Sequence, residues 1–404
     1  MKIFKIFPAF LVFCLLLSLA APAAQALDAP ELSAQAVLLA DLDSGCVLYE
    51  RNSEQQRSPA SLTKVMTILL ALEAVERGEV HLDDSVAAGA DCRSGMRDDS
   101  SSVGICQGET MSLRDLLYCA GVASGNDACN VIAVHVAGSI PAFVERMNRR
   151  AAELGCEQTS FVDPHGLSYD DLSSARDLHR ITREAMEHPG FMEICDSSSY
   201  LVPATDKSPA RELKSSNALI SSDGIYGPGY LYEGAHGVKT GYTRAAGYCL
   251  ISTAERDDMR LLAIVLGCDG PYLSNTETRY SFVDTAKLYD WAFGTFRPRE
   301  LCAVGQILAR LDVALALGDG QLELLAARTL RLPLPEGAEP ELVTELEEPL
   351  RAPLWEGQIL GSAVFLLDGR ELARTELFAS RSLARDPWAY WLDIILRNIT
   401  EQGS

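Results

Sequence analysis

Ser61 and Lys64 stand three residues apart in the run Ser58-Pro59-Ala60-Ser61-Leu62-Thr63-Lys64-Val65-Met66-Thr67. On a helix, positions i and i+3 share a face, so this hydroxyl and this amine can touch. A serine hydroxyl is a weak nucleophile until a base takes its proton. A lysine that is partly desolvated and near other cations can have its pKa lowered enough to be that base. Val65, Ile68, Leu69 and Leu72 follow at helical spacing, which predicts a buried helix ending near Gly78. A lysine at the head of a buried helix is costly unless it is paired or working. Taken alone, the same tetrad also describes an N-capping serine followed by a solvated lysine. Lysine usage favours chemistry. The chain holds only Lys2, Lys5, Lys64, Lys207, Lys214, Lys239 and Lys287, and arginine carries the remaining basic charge. Of the two, only lysine readily deprotonates.

Two more stretches carry functional groups in unusual settings. Ala123-Ser124-Gly125-Asn126-Asp127 lies between two apolar helical runs and reads as a tight corner, although Ser-Gly-Asn is also an ordinary linking turn. Ala235-His236-Gly237-Val238-Lys239-Thr240-Gly241-Tyr242-Thr243 reads as a strand. Two glycines around Lys-Thr let a backbone or ligand approach closely. The bland alternative is an edge strand guarded by its lysine. His165, in the turn Asp163-Pro164-His165-Gly166-Leu167, suits either catalysis or a structural bond to that turn.

The elements that must hold these groups can be read in order. Ala34 to Leu42 and Cys46 to Tyr49 form a hairpin around Asp43-Ser44-Gly45. Ser112 opens a helix with a capping-box-like Ser112-Leu113-Arg114-Asp115. Helices follow over Pro141 to Leu154 and Ala175 to Glu187. Strands over Gly247 to Ala254 and Arg260 to Leu266 turn at Glu255 to Asp258. Ser281 to Phe293 is an amphipathic closing helix. Past Phe296, short alternating runs with Gly and Pro turns (Leu322 to Leu324, Thr329 to Leu334, Gly357 to Leu367) predict a small all-β domain. Pro387 to Thr400 is a helix whose Trp388, Trp391, Leu392, Ile395, Leu396 and Ile399 share one face.

A net charge of -21 over 404 residues argues against nucleic acid as a partner and against a broad electrostatic hold on anionic lipid. Lys2 and Lys5, the apolar stretch Phe7 to Leu19 and Ala24-Gln25-Ala26 form an export signal, with cleavage expected after Ala26. The divisions expected are therefore 1–26 signal peptide, 27–295 catalytic domain, 296–380 β domain and 381–404 amphipathic segment. Of eleven cysteines, Cys119, Cys129, Cys249 and Cys268 sit in apolar runs as small hydrophobes. Cys92 and Cys106 bracket the polar loop Arg93 to Ile105, and a disulfide between them is one expectation. No metal-ligand spacing is present, so neither metal nor cofactor is expected.

Ser-x-x-Lys, Ser-x-Asn and Lys-Thr-Gly, in that order, form the signature of penicillin-recognising serine enzymes. Their flanks resemble the serine D-alanyl-D-alanine carboxypeptidases, the low-molecular-weight penicillin-binding proteins. Leu116-Leu117-Tyr118, Pro164-His165-Gly166-Leu167 and Gly237 to Thr243 add to the likeness, which covers about residues 33 to 295. A weaker one runs from Ala352-Pro353-Leu354 to Gly361 over the β domain. The resemblance implies an α+β transpeptidase-like domain, an antiparallel sheet with a helical cluster, then the β domain and the C-terminal helix. It implies catalysis by Ser61, Lys64 and Ser124. Asn126, Lys239, Thr240, Gly241 and Tyr242 would bind substrate, and Asn126 would also steady Lys64. The backbone N–H groups of Ser61 and Tyr242 would form the oxyanion hole. The implied partners are peptidoglycan stem peptides, β-lactam antibiotics and a membrane surface met by the C-terminal helix.

Two departures stand out. At Ser215-Ser216-Asn217-Ala218 the family often carries an arginine that supports carboxylate binding; Lys214 or Arg244 is the available substitute. The loop Arg93 to Ile105 is also longer than its counterpart. Two other functions fit the fold: a serine β-lactamase, which commonly uses a glutamate-activated water, and a non-catalytic wall-binding protein.

Overall fold

A computed structural model describes residues 29–274, 276–346 and 350–402, with side chains of the last helix described as far as Ile395. The expected leader, 1–26, lies outside the described residues. β1 (Ala36–Asp41) and β2 (Val47–Arg51) form the hairpin. A 3-10 turn, Ala60–Thr63, runs into α1 (Lys64–Glu76). β3 (Ser85–Ala87) and β4 (Thr110–Ser112) then pair, and they enclose the long polar loop. Next come α2 (Leu113–Gly121), α3 (Asn126–Ala137), α4 (Ile140–Glu153), α5 (Ala175–Glu187) and α6 (Phe191–Cys195). β5 (Ser199–Val202) and β6 (Arg211–Lys214) make a small hairpin. β7 (Ala235–Thr243), β8 (Gly247–Arg256) and β9 (Met259–Cys268) precede α7 (Tyr280–Thr295).

The main sheet has the order β2-β1-β9-β8-β7 and is antiparallel throughout. Side chains alternate between the faces of a strand. Ala36, Leu38 and Ala40 therefore enter the core under α1 to α6, and Val37 and Leu39 enter the core under α7. Covering both faces makes β1 a continuous apolar run rather than an alternating one. β7 lies at the sheet edge, beside the turn that opens α1. The β8–β9 turn is tighter than expected. Pairing continues to Arg256–Met259, and Asp257 and Asp258 both adopt positive φ, +49° and +60°. That is the backbone of a two-residue hairpin whose twist matches its strands.

Beyond α7 lie β10 (Phe296–Cys302), β11 (Ile307–Asp312), β12 (Gln321–Ala326), β13 (Leu330–Pro335), β14 (Glu341–Leu346), β15 (Ile359–Leu367) and β16 (Arg370–Ala379). Five of them form the sheet β11-β12-β16-β15-β14, and β10 pairs with β13. Leu322, Leu324, Leu360, Ala363 and Leu377 form a core separate from those of the first domain. α8 (Pro387–Gln402) closes the chain. Trp388, Trp391, Leu392 and Ile395 of its expected face are exposed. Asp393 on the same helix pairs with Arg351 at 2.9 Å. Leu396 and Ile399 lie beyond the described side chains. Among the described residues no single helix is long and apolar enough to cross a membrane.

The expected Cys92–Cys106 bridge is absent: all ten cysteines among the described residues are free thiols. The polar loop is fastened by other means. The buried Asp127 carboxylate accepts from the Ser102 hydroxyl at 2.6 Å and from the Val103 and Ile105 N–H groups. Asn130 donates to the Cys92 and Ser94 carbonyls.

Candidate active site

The Lys64 amine donates to Ser61 Oγ at 2.8 Å. Its second bond, also 2.8 Å, goes to the backbone carbonyl of His165. Lys64 is fully buried, and burial pulls its pKa below the ordinary lysine value, against a smaller opposing pull from Cys129, Asp163, Asp127 and Asp171. Ala60, just before the nucleophile, holds a left-handed φ of +49°. A non-glycine residue in that region costs on the order of 1–3 kcal/mol and persists where its surroundings over-determine it.

Those surroundings are the turn 163–168. The Asp163 carboxylate accepts from the N–H groups of His165, Gly166 and Ser168. It also lies 3.0 Å from His165 Nδ1. Burial opposes ionisation of Asp163, but the His165 hydrogen bond and charge and the backbone donors outweigh it and hold this carboxyl low. Beside it, Asp171 is pushed up by burial and then by the charge of Asp163. Thr67 donates to the Pro164 carbonyl at 2.6 Å and fixes the turn to α1. Gly166 has φ +83°, and a Cβ there would lie 1.8 Å from the Ala60 carbonyl oxygen. His165 thus serves through its carbonyl. Its imidazole is buried in the turn, where Nδ1 lies 3.4 Å from the Leu167 N–H donor.

Ser124 occupies the corner between α2 and α3 with φ +60°. Asn126, the first residue of α3, is 1% exposed. Neither its side-chain oxygen nor its nitrogen has a partner. A buried amide left unpaired costs about 1–3 kcal/mol, so this one is available to a partner entering the cleft. No hydrogen bond joins Asn126 to Lys64 among the described residues; the His165 carbonyl steadies the lysine instead.

Gly241 on β7 faces the nucleophile's own backbone: a Cβ there would meet Pro59 O at 3.1 Å and Ser61 N at 3.3 Å. Lys239 is 1% exposed and donates to the Thr240 carbonyl at 3.0 Å. An edge strand with a guarding lysine does not describe it, because the amine is inside. Burial, then repulsion from Lys64, lowers its pKa to about 7. That repulsion belongs to the pair: the two buried amines titrate together, and one sheds its proton far more readily than a lone lysine does.

Ser61, Ser124, Asn126, Thr240, Gly241 and Tyr242 line one cleft of about 480 Å³. The Ser216 and Thr240 hydroxyls touch at 2.5 Å on its wall, so Ser216 stands in the segment where the family arginine was sought. Arg244 lines the cleft, and Lys214 is exposed on β6 away from it. Arg97, Asp99, Tyr169 and Arg279 also line it; the sequence marked only the long loop that carries Arg97 and Asp99, and not Tyr169 or Arg279. Lys239 sits behind this wall rather than in it. No glutamate is among the described residues that line the cleft. Among the described residues one group outside the cleft has metal-binding reach, Glu73, Glu184 and His188, but Arg150 already pairs with both glutamates.

The family profile described as D-alanyl-D-alanine carboxypeptidase matches residues 23–270, and that of the penicillin-binding protein 5 C-terminal domain matches residues 296–385. The chain is 31% identical to the D-alanyl-D-alanine carboxypeptidase DacF of Bacillus subtilis, over 87% of this chain and 86% of that one. It is 31% identical to DacA of Haemophilus influenzae, over 86% and 84%. Among solved structures, penicillin-binding protein 5 of Haemophilus influenzae aligns with a TM-score of 0.73 at 29% identity, over 88% of this chain and 99% of that one. Penicillin-binding protein 6B of Escherichia coli aligns with a TM-score of 0.65 at 26% identity, over 86% and 95%. A hydroxyl and a buried amine in contact, facing a Lys-Thr-Gly strand in a chain matched over both domains, place this protein in the D-alanyl-D-alanine carboxypeptidase family.

Proposed function

We propose that this enzyme removes the terminal D-alanine of peptidoglycan stem peptides through an acyl-enzyme on Ser61. The contact between Lys64 Nζ and Ser61 Oγ carries this reading. Neutral Lys64 takes the hydroxyl proton as Ser61 Oγ adds to the penultimate D-Ala carbonyl carbon. The oxyanion lies between the backbone N–H groups of Ser61 and Tyr242, each worth about 3 kcal/mol in sites of this kind. The C–N bond then breaks: Ser124 gives its hydroxyl proton to the departing amine and takes in return the proton that Lys64 had accepted, which leaves Lys64 neutral again. Water hydrolyses the ester, with Lys64 again taking a proton, and Ser61 is regenerated.

The remaining groups hold the substrate. Thr240, backed by the Lys239 charge, binds the terminal carboxylate, and Ser216 shares the Thr240 hydroxyl. A carboxylate arriving at Thr240, in front of Lys239, favours the proton on Lys239 and leaves Lys64 free to act as base. Asn126 uses its unpartnered amide on the substrate's acyl amide. β-Lactams acylate the same serine.

The enzyme acts outside the cytoplasm after cleavage of residues 1–26, with the divisions 27–295, 296–380 and 381–404. The separate cores on either side of residue 296 support the middle boundary. α8 lies on the outer membrane face; its exposed tryptophans favour the headgroup boundary.

Intact mass after exposure to penicillin tests the central step. The wild-type chain should gain one adduct, and Ser61→Ala should gain none while keeping its melting curve. Labelling of Ser61→Ala at the wild-type level would overturn the assignment. Rapid loss of the wild-type adduct would favour the lactamase.

A further inference from the structure

The cleft has a charged end that the cleavage reaction does not use. Arg97 and Asp99 lie 3.6 Å apart on its wall. Their loop is anchored firmly. Asp127 holds Ser102, Val103 and Ile105, and the Ser101 carbonyl accepts the Asn126 N–H at 3.0 Å. Arg97 reaches across to Tyr169, donating to its hydroxyl at 3.3 Å with the guanidinium 5.7 Å from the ring centre. The loop and the 163–171 turn thus meet over the cleft beside Asn126 and Leu167. Arg244 lines the cleft just past the end of β7.

The direction of the substrate follows from the proposed function, on which this inference rests. With the terminal carboxylate at Thr240 and the scissile carbonyl at Tyr242, the acyl arm runs along β7 toward Arg244. An extended chain advances about 3.3 Å per residue. The third residue from the substrate's C-terminus therefore falls beside Arg244, under the Arg97–Asp99 loop. Two guanidiniums and one carboxylate there suit a side chain that carries both a carboxylate and an ammonium. An isolated amine meets two repelling cations, and a neutral side chain gains nothing from the Arg97–Asp99 pair or from Arg244.

We infer that Arg97, Asp99 and Arg244 select stem peptides whose third residue is a diamino diacid, its terminal carboxylate read by the arginines and its ammonium by Asp99. They are specificity determinants, remote from the bond that breaks.

The test measures D-alanine release from four acetylated X-D-Ala-D-Ala peptides. X is meso-2,6-diaminopimelate, 2-aminopimelate, lysine or norleucine. The diaminopimelyl peptide should lead the norleucyl peptide in kcat/KM by about tenfold, the sum of small exposed ion pairs of a few-fold each. The lead should shrink in 1 M salt, where the Debye length is about 3 Å. Arg97→Gln with Arg244→Gln should bring the diaminopimelyl peptide down to the lysyl level. Asp99→Asn, a substitution at an 85% exposed side chain, should bring it down to the aminopimelyl level. Equal rates on all four peptides, a lead for the lysyl peptide, or ratios untouched by these variants would overturn the inference. If none of the four peptides releases D-alanine, the carboxypeptidase reading fails first and takes this inference with it.

Discussion

Lys239 is a cation kept in the dry interior, and that has a cost the pH dependence exposes. Its amine titrates at about 7 in the fold against an ordinary 10.5, through burial first and then Lys64, with Cys195 and Cys129 pulling weakly the other way. Between those pH values the unfolded chain binds the extra proton, so stability rises as pH climbs through the window. The penalty is full below about 7 and gone above about 10.5. Lys239→Met should therefore raise the melting temperature, by the equivalent of about 1–4 kcal/mol where the buried charge is fully present. The gain should be larger at pH 6 than at pH 10, and carboxypeptidase activity should be lost. A gain that grows toward high pH would show that the amine is not held neutral by its surroundings. The sequence made the side chains of this site legible because each sits in a short motif. It could not reveal the second anchor of Lys64, which is the carbonyl of His165. Every residue has a carbonyl, and only the folded turn aims this one.

At the scale of elements, the turn 163–168 is the part of the scaffold that sets the nucleophile. Gly166→Ala places a methyl group 1.8 Å from the Ala60 carbonyl oxygen at a φ of +83°. Gly155 has φ +72° with open space around it. Gly155→Ala should then cost about 1 kcal/mol through backbone strain alone, whereas Gly166→Ala should cost 3 kcal/mol or more and slow acylation by penicillin at least tenfold. Equal costs, read from chemical denaturation, would mean that the turn does not press on residue 60. The helices and the central hairpins were readable because apolar spacing and turn residues agree there. β14 (Glu341–Leu346) and β16 (Arg370–Ala379) were not: β14 has no buried residue and the first half of β16 has none either, so neither shows a regular apolar face. The Arg97–Tyr169 bridge was equally hidden: it joins residues 72 apart that share no motif.

For the molecule as a whole, the acidic body and the apolar tail make different demands. A net charge of -21 repels anionic lipid, so the proposed attachment through α8 would have to come from burying Trp388, Trp391, Leu392 and Ile395. Apolar burial contributes about 25 cal/mol per Å² and is insensitive to salt. Full-length protein should stay on vesicles at 1 M salt and leave in detergent. A chain ending before Pro387 should stay in the supernatant with undiminished activity on soluble peptide. Sedimentation of the shortened chain with vesicles would rule out α8 as the attachment.

Ten thiols without a bridge among the described residues also bear on folding. Eight are buried, Cys46 is half-buried and Cys106 is exposed. Burial raises the pKa of Cys119, Cys129, Cys195 and Cys249, which suppresses the thiolate that starts exchange. The finished fold is thus sheltered from mispairing, while the unfinished chain offers every sulfur at once. If the chain folds in an oxidising compartment, as the proposed export implies, α2 and α3 must bury Cys119 and Cys129 before an oxidant reaches them.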